Sequence, residues 1–206
     1  QIPEHWDIRR LRYVGQCQNG LNKGAEYFGT GFPFISYIDV YKNESLPFHV
    51  NGLAVSSEED RINYSVVEGD IFFTRTSETV DEIGFSSVCL STIPNATFSG
   101  FLIRFRPNRN FLFAGFSKYF FRCKVHRAFF VKEMLLVTRA SLSQNLLKNL
   151  PVLLPPIEEQ KQIANFIEAE TRILDIAISK AEREIELIKE YREAMIAEAV
   201  TGKIKF

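Results

Sequence analysis

Apolar and polar positions follow two different rhythms along this chain, and the change falls within "LPVLLPPIEEQKQI", residues 150–163. Ahead of it lie short β-branched and aromatic runs: "PFISYIDV" (33–40), "DIFFTRT" (70–76), "GFSSVCL" (84–90) and "TFSGFLIRF" (97–105). Gly, Pro or Asn residues bound them, as strands in a folded sheet require. "SSEEDRI" (56–62) predicts a short helix capped by Ser56 or Ser57, whose hydroxyl can accept an orphan N–H of the first turn. "NFLFAGFSKYFFRCKVHRAFFV" (110–131) is long enough for a helix, with a strand pair as the alternative because of its many aromatics. These segments predict an α+β or β-rich globule ahead of the junction.

Beyond the prolines the rhythm becomes helical. Residues Ile157 to Thr201 contain neither Gly nor Pro. Pro156 suits a first helical turn, where a missing N–H costs nothing, and Glu158 and Glu159 complement the N-terminal dipole. Gly202 follows the last periodic residue as a stop, with Lys203 and Lys205 just past it. Steps of four and three from Ile167 pass through Thr171, Leu174, Ile178, Ala181, Ile185, Ile188, Arg192, Met195 and Ala199, a mostly apolar seam with a 3.5-residue period. Such a helix spans roughly 65 Å at 1.5 Å per residue, and its seam asks for a partner helix. The alternative is a helix folded back on its own domain. The expected architecture is α+β: a globular mixed α/β domain over residues 1–154, followed by one long C-terminal coiled-coil helix over 155–206.

Composition sharpens the boundary. Ten of eleven glycines and seventeen of nineteen phenylalanines precede Pro151. Net charge is zero, but it is unevenly placed. Residues 1–103 carry 7 Lys/Arg against 13 Asp/Glu, residues 104–148 carry 10 against one, and residues 157–201 carry 6 against 11. A basic block therefore lies between two acidic ones. Cys17, Cys89 and Cys123 are far apart and odd in number, which argues for a reducing, cytoplasmic setting over a disulfide framework or a zinc site. Nothing resembles a signal peptide or a membrane span.

"LPVLLPPIEEQKQIANFIE" and "LIKEYREAMIAEAVTGKI" resemble the conserved helical region of type I restriction–modification specificity (S) subunits. In that family a target-recognition domain runs through a Leu-Pro, Pro-Pro, Glu-Glu-Gln junction into a long helix. Upstream, "IPEHWDIRRLRYV" (2–14), "GDIFFTRT" (69–76) and "TRASLSQNLLKNLPV" (138–152) are similar to the start, a central strand and the closing segment of such a domain. A complete member alternates two recognition domains with two helices, whereas this chain has one of each. The expectation is the C-terminal half of a longer subunit, or a natural half-subunit that pairs with itself.

The resemblance implies a non-catalytic subunit without a cofactor that reads half of a bipartite double-stranded DNA target. Its helices would space the two half-sites and dock methyltransferase subunits, with restriction subunits joining through the complex. In the basic block, Lys118, Arg122 and His126 share one face if 110–131 is a single helix, and with Lys124 and Arg127 would meet phosphates. Arg75, Thr76 and Ser77, and Arg139 with Ser141, Ser143 and Gln144, are the candidates at segment ends, Arg139 as a backbone or structural contact. Ile167, Leu174, Ile178, Ala181, Ile185, Ile188 and Met195 are the candidates for helix pairing. The Phe-rich run 111–130 is expected in the core.

Other chemistries lack their residues. The three histidines show no metal or triad spacing, and "LPPI" (154–157) is not a methyltransferase motif. "GTGF" (29–32) is too short for a phosphate loop, and the Glu159/Lys161 pair opens a helix where a metal-dependent nuclease needs a strand. The competing reading from another class is a coiled-coil scaffold with a protein-binding globular head.

Overall fold

A computed structural model of the chain describes residues 2–76, 83–108, 110–134 and 141–204. Along the described residues run β1 (Asp7–Arg10), β2 (Gly15–Asn19), β3 (Phe28–Ile35), α1 (Tyr37–Lys42), β4 (Leu53–Ala54), α2 (Glu58–Asn63), β5 (Ile71–Thr74), β6 (Ser86–Val88), β7 (Thr97–Phe98) and β8 (Leu102–Pro107). They continue with α3 (Ala114–Phe120), α4 (Lys124–Met134), α5 (Gln144–Asn149), β9 (Pro151–Leu154) and α6 (Ile157–Val200). The chain divides into two units, Gln1–Ala164 and Asn165–Phe206.

The first unit is built on a four-stranded antiparallel sheet in the order β2-β8-β5-β6. Both faces of this sheet are covered. Ile71, Phe73, Val88, Ile103 and Phe105 join one apolar cluster with Leu11, Phe121 and Phe130. Phe72, Cys89 and Leu102 point the other way, into a second cluster with Ile35, Val40 and Phe98. Burial on both sides explains why "IFF" is continuously apolar instead of alternating. Each fully buried Phe contributes about 2–3 kcal/mol of transfer free energy. A three-stranded sheet, β4-β3-β7, and a two-stranded one, β1-β9, complete the unit.

Three sequence expectations change in the structure. "PFISYIDV" is strand only through Ile35, because the Ser36 N–H and hydroxyl both donate to Asp39 Oδ2 (2.8 and 2.6 Å), which starts α1. "TFSGFLIRF" is two strands, β7 and β8, separated by a turn closed by Leu102 N–H to Ser99 O at 2.9 Å. The 110–131 run is neither one helix nor a strand pair. It breaks into α3 and α4 at Phe121–Cys123, where Phe121 is fully buried and Arg122 turns toward backbone carbonyls. Lys118, Arg122 and His126 therefore do not share a helix face. Ser57 does cap α2, accepting from the Asp60 N–H at 3.0 Å while the Ser57 N–H donates to Asp60 Oδ2 at 3.0 Å. The Phe-rich run does enter the core through Phe116, Phe121 and Phe130.

The Pro-Pro-Glu-Glu-Gln junction has a concrete physical role in the first unit. Gln160 is fully buried at the start of α6. Its Oε1 accepts from the Phe113 N–H (2.9 Å), and its Nε2 donates to Phe111 O and Pro155 O (both 2.8 Å). Glu159 accepts from Trp6 Nε1 at 3.1 Å and lies 2.8 Å from His5 Nε2, an arrangement that holds its carboxyl below the usual range. The antiparallel pairing of β1 with β9 ties the two ends of the globule beside this junction.

In the second unit most residues of α6 are exposed. Leu174, Ile178, Ile185, Ile188 and Met195 of the expected seam are exposed. An Arg183–Glu186 pair at 2.9 Å supports the exposed helix. A Schellman motif ends it: the Lys203 N–H reaches Glu198 O (2.9 Å), the Gly202 N–H reaches Ala199 O (3.2 Å), and Gly202 takes a positive φ of 73°. The chain thus forms a mixed α/β domain followed by a long C-terminal helix.

Candidate nucleic-acid interface

The strand directions gather one set of sequence candidates at one end of the central sheet. β2 and β5 run antiparallel to β8, so their C-terminal ends lie beside the start of β8. After β5, the Arg75 N–H donates to Phe101 O (2.9 Å), and Arg75 Nη1 reaches Gly100 O at a long 3.5 Å. Thr76 then pairs with Ser141 in an isolated antiparallel bridge, and the Leu142 N–H donates to Arg75 O at 2.7 Å. That bridge brings together two segments 65 positions apart in sequence, 76 and 141. Ser143 caps α5 by accepting from the Leu146 N–H at 3.1 Å. Gln144 Nε2 donates to Asn19 Oδ1 at 3.0 Å; turned over, the same amide donates to Cys17 O at 3.2 Å. Thr76, Ser141 and Ser143 are exposed, and Arg75 and Gln144 half-buried.

Asn19, Asn22 and Phe101 belong to the same end and were not singled out by sequence. Asn19 partners Gln144. A Cβ at Gly100 would collide with Asn22 Oδ1, so the glycine lets the β7–β8 turn and Asn22 approach each other. Phe101 stands 62% exposed at the tip of that turn. An "NG" at 19–20 and an "SGF" at 99–101 were the available signals, but neither segment reveals its neighbour without the topology.

Among the described residues the second set of candidates does not assemble into a basic face. Arg122 donates to Asn43 O (2.8 Å), Ser86 O (2.7 Å) and Tyr41 O (2.8 Å), tying α1 and β6 to the α3–α4 corner. His126 is buried, with Nδ1 2.9 Å from Cys123 Sγ, and burial pushes the imidazole down to about 4. Lys118 is largely covered beside Tyr119, its ammonium 4.6 Å from the ring centre. Lys124 opens α4 and is exposed, as is Lys132. Ser77, Arg139 and the side chain of Arg127 lie outside the described residues.

Two further arginines of the basic block are paired within the domain, Arg104 buried and Arg106 half-buried. Arg106 Nε and Nη2 donate to Asp70 Oδ1 and Oδ2 (2.6 and 2.7 Å), a forked pair with a fully buried carboxylate. The hydrogen bonds that Arg106 donates to Asp70 hold it above its usual value, whereas burial pushes Arg104 down to about 10. Arg104 donates to Ser65 O and to Gln18 Oε1. The charge excess in residues 104–148 therefore overstates the positive surface. The available chemistry at the sheet end is a guanidinium, three amides, three hydroxyls and an aromatic ring, a set suited to base edges and phosphate oxygens. Among the described residues no helix is long and apolar enough to cross a membrane.

Comparisons with known proteins agree on one family. The type I restriction modification DNA specificity domain matches residues 3–187. The MjaX type I restriction enzyme specificity subunit of Methanocaldococcus jannaschii is 27% identical over 205 residues, covering 98% of this chain and 47% of that protein. Among solved structures, one from a study of complex assembly and conformational transition of the type I R-M system superposes with a TM-score of 0.71 at 19% identity, over 97% of this chain and 46% of the other. The HsdS subunit from Thermoanaerobacter tengcongensis gives a TM-score of 0.63 at 19% identity, over 99% and 47%. The chain spans about half the length of the relatives it matches.

Proposed function

The chain belongs to the type I restriction modification DNA specificity family, and we propose that it is a sequence-specific DNA-recognition subunit reading one half of a bipartite target. It carries no catalysis of its own and docks the methyltransferase subunits that modify the site, with restriction subunits joining through the assembled complex. The observation that carries this reading is the Thr76–Ser141 bridge, which converts two separate polar segments into one surface with Asn19 and Gln144. On that surface Arg75 and Gln144 supply the forked and amide groups that discriminate bases, while Thr76, Ser141 and Ser143 contact the backbone, with the exposed Lys124 of α4 as a separate phosphate contact. Arg122 is assigned to holding the domain together.

The long helix is the assembly arm in this reading. Ile167, Leu174, Ile178, Ala181, Ile185, Ile188 and Met195 pack against a second helix, from another copy or from the other half of a longer subunit. The pairing spaces two recognition domains and offers the docking surface. Leaving such a seam in water is unfavourable, which supports a partner.

The test is selection of bound duplexes from a randomised library, followed by titration of the selected site against random duplex at several salt concentrations. Affinity for both is expected to fall linearly in log–log form with salt, with the selected site keeping its advantage. Arg75→Ala and Gln144→Ala are expected to erase the advantage while leaving random-duplex binding largely intact. Recovery of no preferred sequence, with no salt dependence, would overturn the reading in favour of a protein-binding head.

A further inference from the structure

We propose that Phe101 is a stacking wedge that inserts against a base step of the DNA and contributes to which sequences are accepted. This rests on the DNA-reading surface proposed above and names a mode of contact that its polar residues do not supply.

The turn that carries Phe101 is fixed from several directions. The Phe101 N–H donates to Ser99 Oγ at 3.2 Å, and its carbonyl accepts the Arg75 N–H at 2.9 Å. The Gly100 N–H donates to Leu21 O at 2.9 Å, and the Leu102 N–H closes the turn on Ser99 O at 2.9 Å. Leu102 on one side is fully buried in the second apolar cluster, while Phe101 is 62% exposed. A rigid backbone therefore presents a large apolar ring to water, one residue after Gly100, whose carbonyl Arg75 Nη1 reaches at 3.5 Å and beside which Asn22 Oδ1 lies.

A single exposed aromatic is ordinary on a protein surface. Here its neighbours decide the occupant. They are groups that hydrogen-bond base edges and phosphates, and they arrive from three segments of sequence held by backbone hydrogen bonds. A base pair approached by Arg75 and the Asn19–Gln144 amides would bring its stacked face or groove edge to the Phe101 ring. Apolar side chains placed this way unstack a base step, and the cost depends on which step is opened. Stacking on the ring offsets that cost. The wedge thereby favours easily opened steps, such as pyrimidine–purine ones, at a position that makes no hydrogen bond.

The experiment uses the duplex selected by the wild-type chain, with 2-aminopurine placed in turn at each position of the half-site. Binding of the wild-type chain is expected to raise the emission at one position as that base leaves its stack. Phe101→Ala is expected to abolish the rise and weaken the selected site about tenfold, while Phe101→Trp retains both. Unchanged melting of the free Phe101→Ala protein would exclude misfolding as the cause. If Phe101→Ala binds and emits like wild type while Arg75→Ala loses the sequence preference, the wedge is wrong and the DNA reading stands. If the wild-type chain selects no duplex, both fall together. If Phe101→Ala loses methyltransferase subunits but keeps DNA, the ring belongs to a protein contact and the wedge is overturned.

Discussion

The first two turns of α6 and the turns that follow are the same secondary structure with opposite chemistry. Gln160 and Ala164 are buried, at 0% and 4% exposure, whereas Leu174 and Ile188 stand at 60% and 67%. In the first stretch a buried amide satisfies three backbone groups of the globule, and the contact is complete within the chain. In the second, the apolar side chains meet nothing in their own unit. Helix formation itself does not distinguish the two, because a run free of Gly and Pro satisfies its backbone wherever it lies. The polar Gln160 is thus the structural residue, whereas the apolar Leu174 and Ile188 stand in water and are the ones proposed to meet another helix.

Gln160→Ala is expected to give the largest effect. It strands the Phe113 N–H, Phe111 O and Pro155 O at a buried site, a loss of about 4 kcal/mol from three groups that cost 1–3 kcal/mol each when unpaired. Urea unfolding of the globular unit reads it, and an unchanged midpoint would mean that water replaces the amide without penalty. Leu174→Asp and Ile188→Asp are expected to do the reverse. Placing a carboxylate in the seam costs about 3 kcal/mol of association, a dissociation constant raised at least about a hundredfold, with no shift in the midpoint of the globule. Sedimentation across a concentration series, alone and with methyltransferase subunits, reads that second pair. Normal assembly of either variant would show that the partner covers a different face of the helix.

Much of this division was legible in the sequence, for reasons that differ by region. The long helix could be read because its pattern is local: periodicity, a proline start and a glycine stop are all properties of neighbouring residues. The Ser57 cap was legible for the same reason. The breaks at Ser36 and at Phe121–Cys123 were not, because a carboxylate three residues on decides the first and carbonyls of α1 and β6 decide the second. The candidate site divides in the same way. Arg75, Thr76, Ser141 and Gln144 could be named as polar residues at segment ends, but their meeting depends on a bridge between distant segments. The basic block misled, since a count of Lys and Arg does not show that Asp70 neutralises Arg106 or that Arg104 and Arg122 face carbonyls.

His126 offers the smallest and most selective separation of the two regions, because it titrates only inside the globule. Burial lowers its imidazole from 6.5 to about 4, against a weaker opposing effect of hydrogen bonds with the backbone of Phe120 and Pro151. The groups facing it are the Cys123 thiol and the rings of Phe120 and Phe121, none of which supplies a compensating negative charge. The unfolded chain therefore takes up a proton near pH 6.5 that the folded one refuses until about pH 4. The stability contributed by the neutral ring is complete above 6.5 and is lost as pH falls through that window, amounting to about 2 kcal/mol by pH 5. Urea midpoints measured from pH 7.5 to 5 should show this loss, and His126→Gln should flatten that part of the profile while lowering the plateau. Association through the proposed helix seam over the same range should be unchanged by that substitution. If instead the profile of the globule keeps its slope in His126→Gln, another group carries the titration and the buried imidazole is silent.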